Sequence, residues 1–148
     1  MIQWVLNNEK AALAAIFSLF LCGSAWQDIK KQEISVWIFV AAGAAALLIR
    51  RGISGDMAFS ASLGLVLFAV SRLMRGAVGE GDSLFFLVSG LFLPAAQNLM
   101  LFFYGLFLCS LAGLVILADG VRKKKNVRKQ SVPFLPFLLP VWIWMVVV

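Results

Sequence analysis

The sequence contains no histidine. That absence removes the usual zinc sites, the Ser-His and Cys-His nucleophile pairs, and haem ligation through imidazole. Cysteine is nearly absent. Cys22 and Cys109 stand alone in apolar runs, form no CxxC redox or zinc motif, and are expected to pack in the core. Charge is scarce as well, at 14% of residues, against about a quarter in soluble domains. The acids number seven: Glu9, Asp28, Glu33, Asp56, Glu80, Asp82 and Asp119. Against 62% hydrophobic residues and a mean hydropathy of +0.96, these shortages exclude a disordered tail, a disulfide scaffold and an ordinary cytosolic enzyme. They point to lipid as the solvent and leave carboxylates as the groups able to do chemistry.

A membrane span takes ~20 residues, so the 148 residues supply several spans and leave no room for a folded extramembrane domain. Six apolar runs stand out: Ala11–Trp26, Ile34–Ile49, Met57–Met74, Ser83–Gln97, Asn98–Ala118 and Phe134–Val148. The fourth and fifth are divided at Pro94 and Asn98, because one span over both would need about 36 residues. The expected fold is an all-α membrane protein, a polytopic bundle of about six transmembrane helices in one domain over residues 1–148.

Charge sets the orientation. The loops after spans 1, 3 and 5 carry Lys30, Lys31, Arg72, Arg75, Arg122, Lys123, Lys124, Lys125, Arg128 and Lys129, ten of the 13 basic residues. Only Lys10, Arg50 and Arg51 lie opposite. By the positive-inside rule those three loops are cytoplasmic and both termini extracytoplasmic. Trp4, Trp26, Trp37, Trp142 and Trp144 fall near span ends or the chain end, as interfacial anchors do. The first run is read as a true span and not a signal peptide, because Leu21 occupies the place a lipoprotein site gives a small residue. Small residues four apart, Ser60 with Gly64 and Gly105 with Cys109 and Gly113, are spaced for close helix packing. The basic tract Arg122–Lys129 is expected to meet anionic lipid, and nothing suggests a nucleic-acid partner.

Five of the acids have an ordinary place in loops or beside basic neighbours. Asp28 and Asp82 do not. Asp28 follows an apolar run directly, at the helix end where the macrodipole disfavours an acid. Asp82 closes Gly79-Glu80-Gly81-Asp82 and immediately precedes Ser83-Leu84-Phe85-Phe86-Leu87. Gly79 and Gly81 permit close approach of another backbone just before a helix begins. The charge count puts both aspartates on the same membrane face. A pair of carboxylates that meets there shares one proton, since two like charges a few ångströms apart do not both ionise cheaply. One member can then take a proton from water while the other polarises a peptide carbonyl, with neither metal nor cofactor. Singly, each has a plainer reading: Asp82 as a helix N-cap, Asp28 as a juxtamembrane charge beside Lys30 and Lys31.

Taken in order, the segments Asp28-Ile29-Lys30-Lys31-Gln32-Glu33-Ile34, Gly79-Glu80-Gly81-Asp82 and Val132-Pro133-Phe134-Leu135-Pro136-Phe137 resemble those of the prepilin peptidases, or type IV leader peptidases, a group of GxGD membrane aspartyl proteases. The resemblance implies an aspartic endopeptidase in the cytoplasmic membrane of a prokaryote, with Asp28 and Asp82 catalytic and its active site on the cytoplasmic side. Its substrate would be a prepilin-like membrane precursor of the type IV pilus or of protein secretion, cut after a short basic leader, typically at a glycine. Ser35 and Val36 stand where the family usually has Pro-Asn, and Leu84 where many members have lysine. With no CxxC, the resemblance implies a minimal form without the methyltransferase activity.

Four other readings compete. Gly52-Ile53-Ser54-Gly55 spells a rhomboid GxSG, but no histidine is there to pair with Ser54, and the segment reads as a turn. A presenilin-like protease shares GxGD, yet Leu93-Pro94-Ala95 lies beside the wrong helix for its companion motif. A small transporter or channel subunit would want its acids near mid-membrane, and a catalytically inactive pilus-assembly protein would not need both aspartates.

Overall fold

The structure is a computed structural model that describes residues 8–31, 35–50, 52–75, 79–126 and 132–148. Expectations resting on Trp4, Glu33, Ile34, Arg51, Arg128 and Lys129 lie outside the described residues. Among those described there are six α-helices and no strand: α1 (Asn8–Lys31), α2 (Val36–Arg50), α3 (Gly55–Leu73), α4 (Glu80–Phe92), α5 (Ala95–Arg122) and α6 (Leu138–Val147). A 3₁₀ turn, Leu135–Phe137, leads into α6. Three segments are long and apolar enough to cross a membrane: Lys10–Lys31, Gly55–Leu73 and Ala95–Arg122. α2 and Leu135–Val147 are shorter and apolar. The 13 residues of α4 reach only about 20 Å at 1.5 Å per residue, short of a bilayer's hydrocarbon.

The helix ends follow local chemistry. Lys30 and Lys31 complete the last turn of α1, where cations suit the dipole, and the Ser35 amide donates to Gln27 Oε1 at 2.9 Å to tie α1 to the start of α2. Ser54 caps α3, its hydroxyl accepting from the Met57 amide at 3.3 Å. The GxSG tetrapeptide therefore serves as a helix start. The boundary between α4 and α5 corrects the division expected from sequence. α4 stops at Phe92, not Gln97, because Pro94 holds Leu93 in extended backbone. Asn98 sits one turn inside α5 and is buried. Its amide nitrogen donates to the Ser60 and Phe86 carbonyls at 3.1 and 3.3 Å, and its oxygen accepts from the Ser89 hydroxyl at 2.6 Å. Asn98 thus pins α3, α4 and α5 together with every polar atom satisfied.

The closest packing is between α3 and α4. A Cβ on Gly64 would land on the Leu87 backbone, and one on Gly90 on the Ala61 backbone. Ser60, one turn from Gly64, donates to the Leu93 carbonyl at 2.9 Å. The expected small-residue face of α3 is therefore a contact surface. On α5 only part of the stripe is used: Gly105 lies against Phe134 and Leu138, whereas Gly113 has open space beside it.

Aromatic rings fill the centre. Phe17 meets Trp142 edge-on at 4.7 Å between centroids, and Phe20 stacks on Phe85 at 5.1 Å. Trp142 is accordingly only 5% exposed, with its indole N–H donating to Ser18 Oγ at 2.9 Å. That corrects its expected place among the interfacial anchors. Trp26, Trp37 and Trp144 do face outward. The cysteines are corrected too: Cys22 is exposed and Cys109 half-buried. In a bundle solvated by lipid an apolar residue has no need of the core, so hydropathy does not separate the two environments.

Candidate active site

Asp28 lies one turn before the end of α1 and is 9% exposed. Its Oδ2 accepts a hydrogen bond of 3.0 Å from the backbone N–H of Leu135, 107 residues away. The Phe134 amide acts on the same carboxyl. The surrounding sequence explains why these amides are available. Pro133 and Pro136 have no N–H, and the Phe137 amide is taken up by the Phe134 carbonyl at 3.1 Å. Phe134 and Leu135 are left as the donors at the start of the final helical segment, where N–H groups have no partner within the helix. The Pro-Phe-x-Pro-Phe segment is thus a cradle for Asp28. The sequence marks this segment without its purpose; the proline spacing is the signal.

Asp82 lies in the first turn of α4, ahead of the apolar run beginning at Ser83. Gly79 takes the N-cap position with φ −61° and ψ 133°. The buried Ser83 fastens this turn, its amide and hydroxyl both donating to the Gly79 carbonyl at 3.2 Å. Gly79 has a steric role: a Cβ there would stand 3.0 Å from Asp82 Oδ2 and 3.5 Å from its Cγ. The space a side chain would fill at position 79 is where the Asp82 carboxyl lies. Gly81, the second motif glycine, sits half-buried within the helix.

Packing brings the two acids to one end of the bundle. Phe86, one turn beyond Asp82, packs against Phe134 at 6.1 Å between centroids, and Phe134 adjoins the Leu135 amide that holds Asp28. Burial pushes the Asp82 carboxyl up to about 7, and the Asp28 charge nearby acts in the same direction. Glu80, by contrast, is paired outside this group. It is exposed and lies 3.7 Å from the equally exposed Arg72 guanidinium, in keeping with the solvated role expected for it. Asp119 pairs with Lys123 at 3.0 Å on the far part of α5. Among the described residues no three Cys, Asp or Glu side chains converge as a metal-ligand set.

The sequence model of the type IV leader peptidase family matches residues 15–115, well over half of the chain. The chain belongs to that family. The matched stretch takes in both Asp28 and Asp82 and stops short of the Leu135 cradle. No curated relative and no solved structure matches the chain. Membership of the type IV leader peptidase family makes the chain a protease by class, and its span-length helices make it one suited to a membrane. At one end of this family member's bundle lie a buried Asp28 and a half-buried Asp82.

Proposed function

We propose that the protein is a membrane-embedded aspartic endopeptidase that removes the basic leader from type IV prepilin-like precursors at the cytoplasmic face of the membrane. The observation that supports this reading is that Asp28, held by backbone amides, lies near enough for its charge to add to the burial that raises the Asp82 carboxyl to about 7. In the proposed step one proton is shared by the pair and resides on Asp82. Asp28 takes a proton from water as the water oxygen bonds to the scissile carbonyl carbon. Asp82 gives its proton to the carbonyl oxygen, and a gem-diol forms. Collapse of that intermediate breaks the C–N bond, the amine leaves with the proton held by Asp28, and the diol proton returns to Asp82. Gly79 leaves room for the Asp82 carboxyl to face the precursor, whose own apolar helix would lie in the bilayer beside the bundle. The six apolar runs are assigned to the membrane, both termini outside, with Lys30, Lys31, Arg72 and Arg122–Lys125 on the cytoplasmic side near anionic lipid.

The test is cleavage of a pilin-like precursor with a basic leader by the purified protein in detergent, followed as a function of pH. Cleavage is expected, falling as pH is raised through about 7, because the pair must keep one proton to act. Stability carries the same sign. The folded-state pKa of Asp82 lies above that of an ordinary carboxylate, so the folded protein holds this proton more tightly than the unfolded chain. Its contribution is complete below about pH 4 and is lost as pH rises through 7. No cleavage at any pH, or a rate indifferent to pH across this range, would count against the assignment.

Gly79→Ala probes the motif without replacing either acid. The added methyl meets the end of a flexible side chain and not backbone, so the fold should survive with the Asp82 carboxyl displaced. Cleavage is expected to drop about 10- to 100-fold, with an unfolding temperature close to that of the parent. An unchanged rate would show that the 3.0 Å spacing between this position and Oδ2 has no bearing on the chemistry.

A further inference from the structure

Ser24 lies one turn before Asp28 on α1, fully buried at 0% exposure. Its hydroxyl has no hydrogen-bond partner. That is unusual for a serine within a helix, which ordinarily returns its proton to the carbonyl four residues back. Ser18 on the same helix does this, donating to the Ala14 carbonyl at 2.8 Å. Ser24 therefore gives up the local bond open to it and pays desolvation with nothing in exchange.

Helix geometry says what the hydroxyl faces. Residues four apart share one face, with Cβ atoms about 5–6 Å apart. Helical side chains also lean back toward the N-terminus, which carries the Asp28 carboxyl over the Ser24 turn. Asp28 Oδ2 is engaged by the Leu135 amide; Oδ1 is its other acceptor.

We infer that Ser24 is a positioning residue of the peptidase site, its hydroxyl donating to Asp28 Oδ1 while the Leu135 amide holds Oδ2. Gripped from both sides, the carboxyl cannot turn away from the water it must deprotonate. The inference rests on the aspartic-peptidase reading above. Its rival is that Ser24 is merely a small residue at a crowded helix contact, as Ala25 beside it is.

Ser24→Ala separates the two, since alanine is equally small and a better helix former. Cleavage of a precursor with a basic leader is measured at limiting and at saturating concentration, with Asp28→Asn and Asp82→Asn in parallel. Ser24→Ala is expected to lower kcat about 10- to 100-fold with KM unchanged. Ser24→Cys, similar in shape but a weaker donor, should fall between it and the parent. A parental kcat in Ser24→Ala, or a loss confined to KM, overturns the inference. Should Ser24→Ala not fold, a folded Ser24→Cys with parental kcat overturns it equally. If the two Asp→Asn variants cleave normally, it is the peptidase assignment of the pair that fails; if they are inactive while Ser24→Ala is normal, only the role of Ser24 fails.

Discussion

Asparagine at position 28 or at position 82 should each abolish leader cleavage, by at least about 100-fold and up to about 10⁴-fold, while leaving the protein folded. Both substitutions keep the shape of the side chain and remove only its ability to exchange a proton. At position 28 the amide oxygen can still accept from the Leu135 N–H, so the contact between α1 and the final segment is preserved. At position 82 the change relieves a buried carboxyl that sits beside another acid, and the variant should unfold at a temperature no lower than the parent and with less dependence on pH. Glu80→Gln is the comparison. Glu80 lies in the same four-residue motif but is exposed beside Arg72, and its variant should cleave within about twofold of the parent. The readout is accumulation of uncleaved precursor on co-expression, with thermal unfolding of each purified variant. Normal processing by either asparagine variant would overturn the catalytic assignment.

The largest effect on stability is expected from Gly64→Ala and Gly90→Ala. At both positions a methyl would fall on the backbone of the facing helix, not on a side chain able to move. α3 and α4 would have to separate, breaking the bond of Ser60 to the Leu93 carbonyl and the Asn98 bonds nearby. Alanine improves helix propensity by about 1 kcal/mol, but overpacking a tight contact costs about 1–3 kcal/mol, and more where backbone must shift. The net sign is destabilising. Because α4 also carries Asp82, cleavage should fall along with stability. Gly113→Ala, with open space beside it, should be neutral or slightly stabilising. Comparison of the three unfolding temperatures in detergent decides the point; equal values would mean that the α3–α4 contact tolerates a methyl.

Much of the candidate site is legible in the residues themselves. Asp28 and Asp82 announce themselves because a charge at the edge of an apolar run is expensive and needs a reason. The glycines around Glu80 mark a helix start, whereas the segment holding Ser54 reads only as a turn and the structure makes it the cap of α3. Faces are less legible. Trp142 reads as an anchor and is core, while Cys22 reads as core and is exposed. Hydropathy ranks residues by their cost in water, and where lipid replaces water the inside and outside of a bundle score alike. The division at Asn98 fails for a related reason. A polar residue in an apolar stretch suggests a boundary, yet its bonds to Ser60, Phe86 and Ser89 make it an interior tie.

Sequence alone determined that the chain is helical and apolar enough to cross a membrane, that histidine chemistry is closed to it, and that two particular acids are out of place. These follow from composition and from interactions between residues a few positions apart. Tertiary structure decided what those acids meet: the Leu135 amide against Asp28, and the Asp82 carboxyl in the room left by Gly79. It also decided that the Ser24 hydroxyl, one turn from Asp28, is buried. The physical reason is separation along the chain. The bond between Leu135 and Asp28 joins positions 107 residues apart, and its donor is a backbone N–H. Side-chain identity reports such a group only indirectly, through the prolines that leave it free.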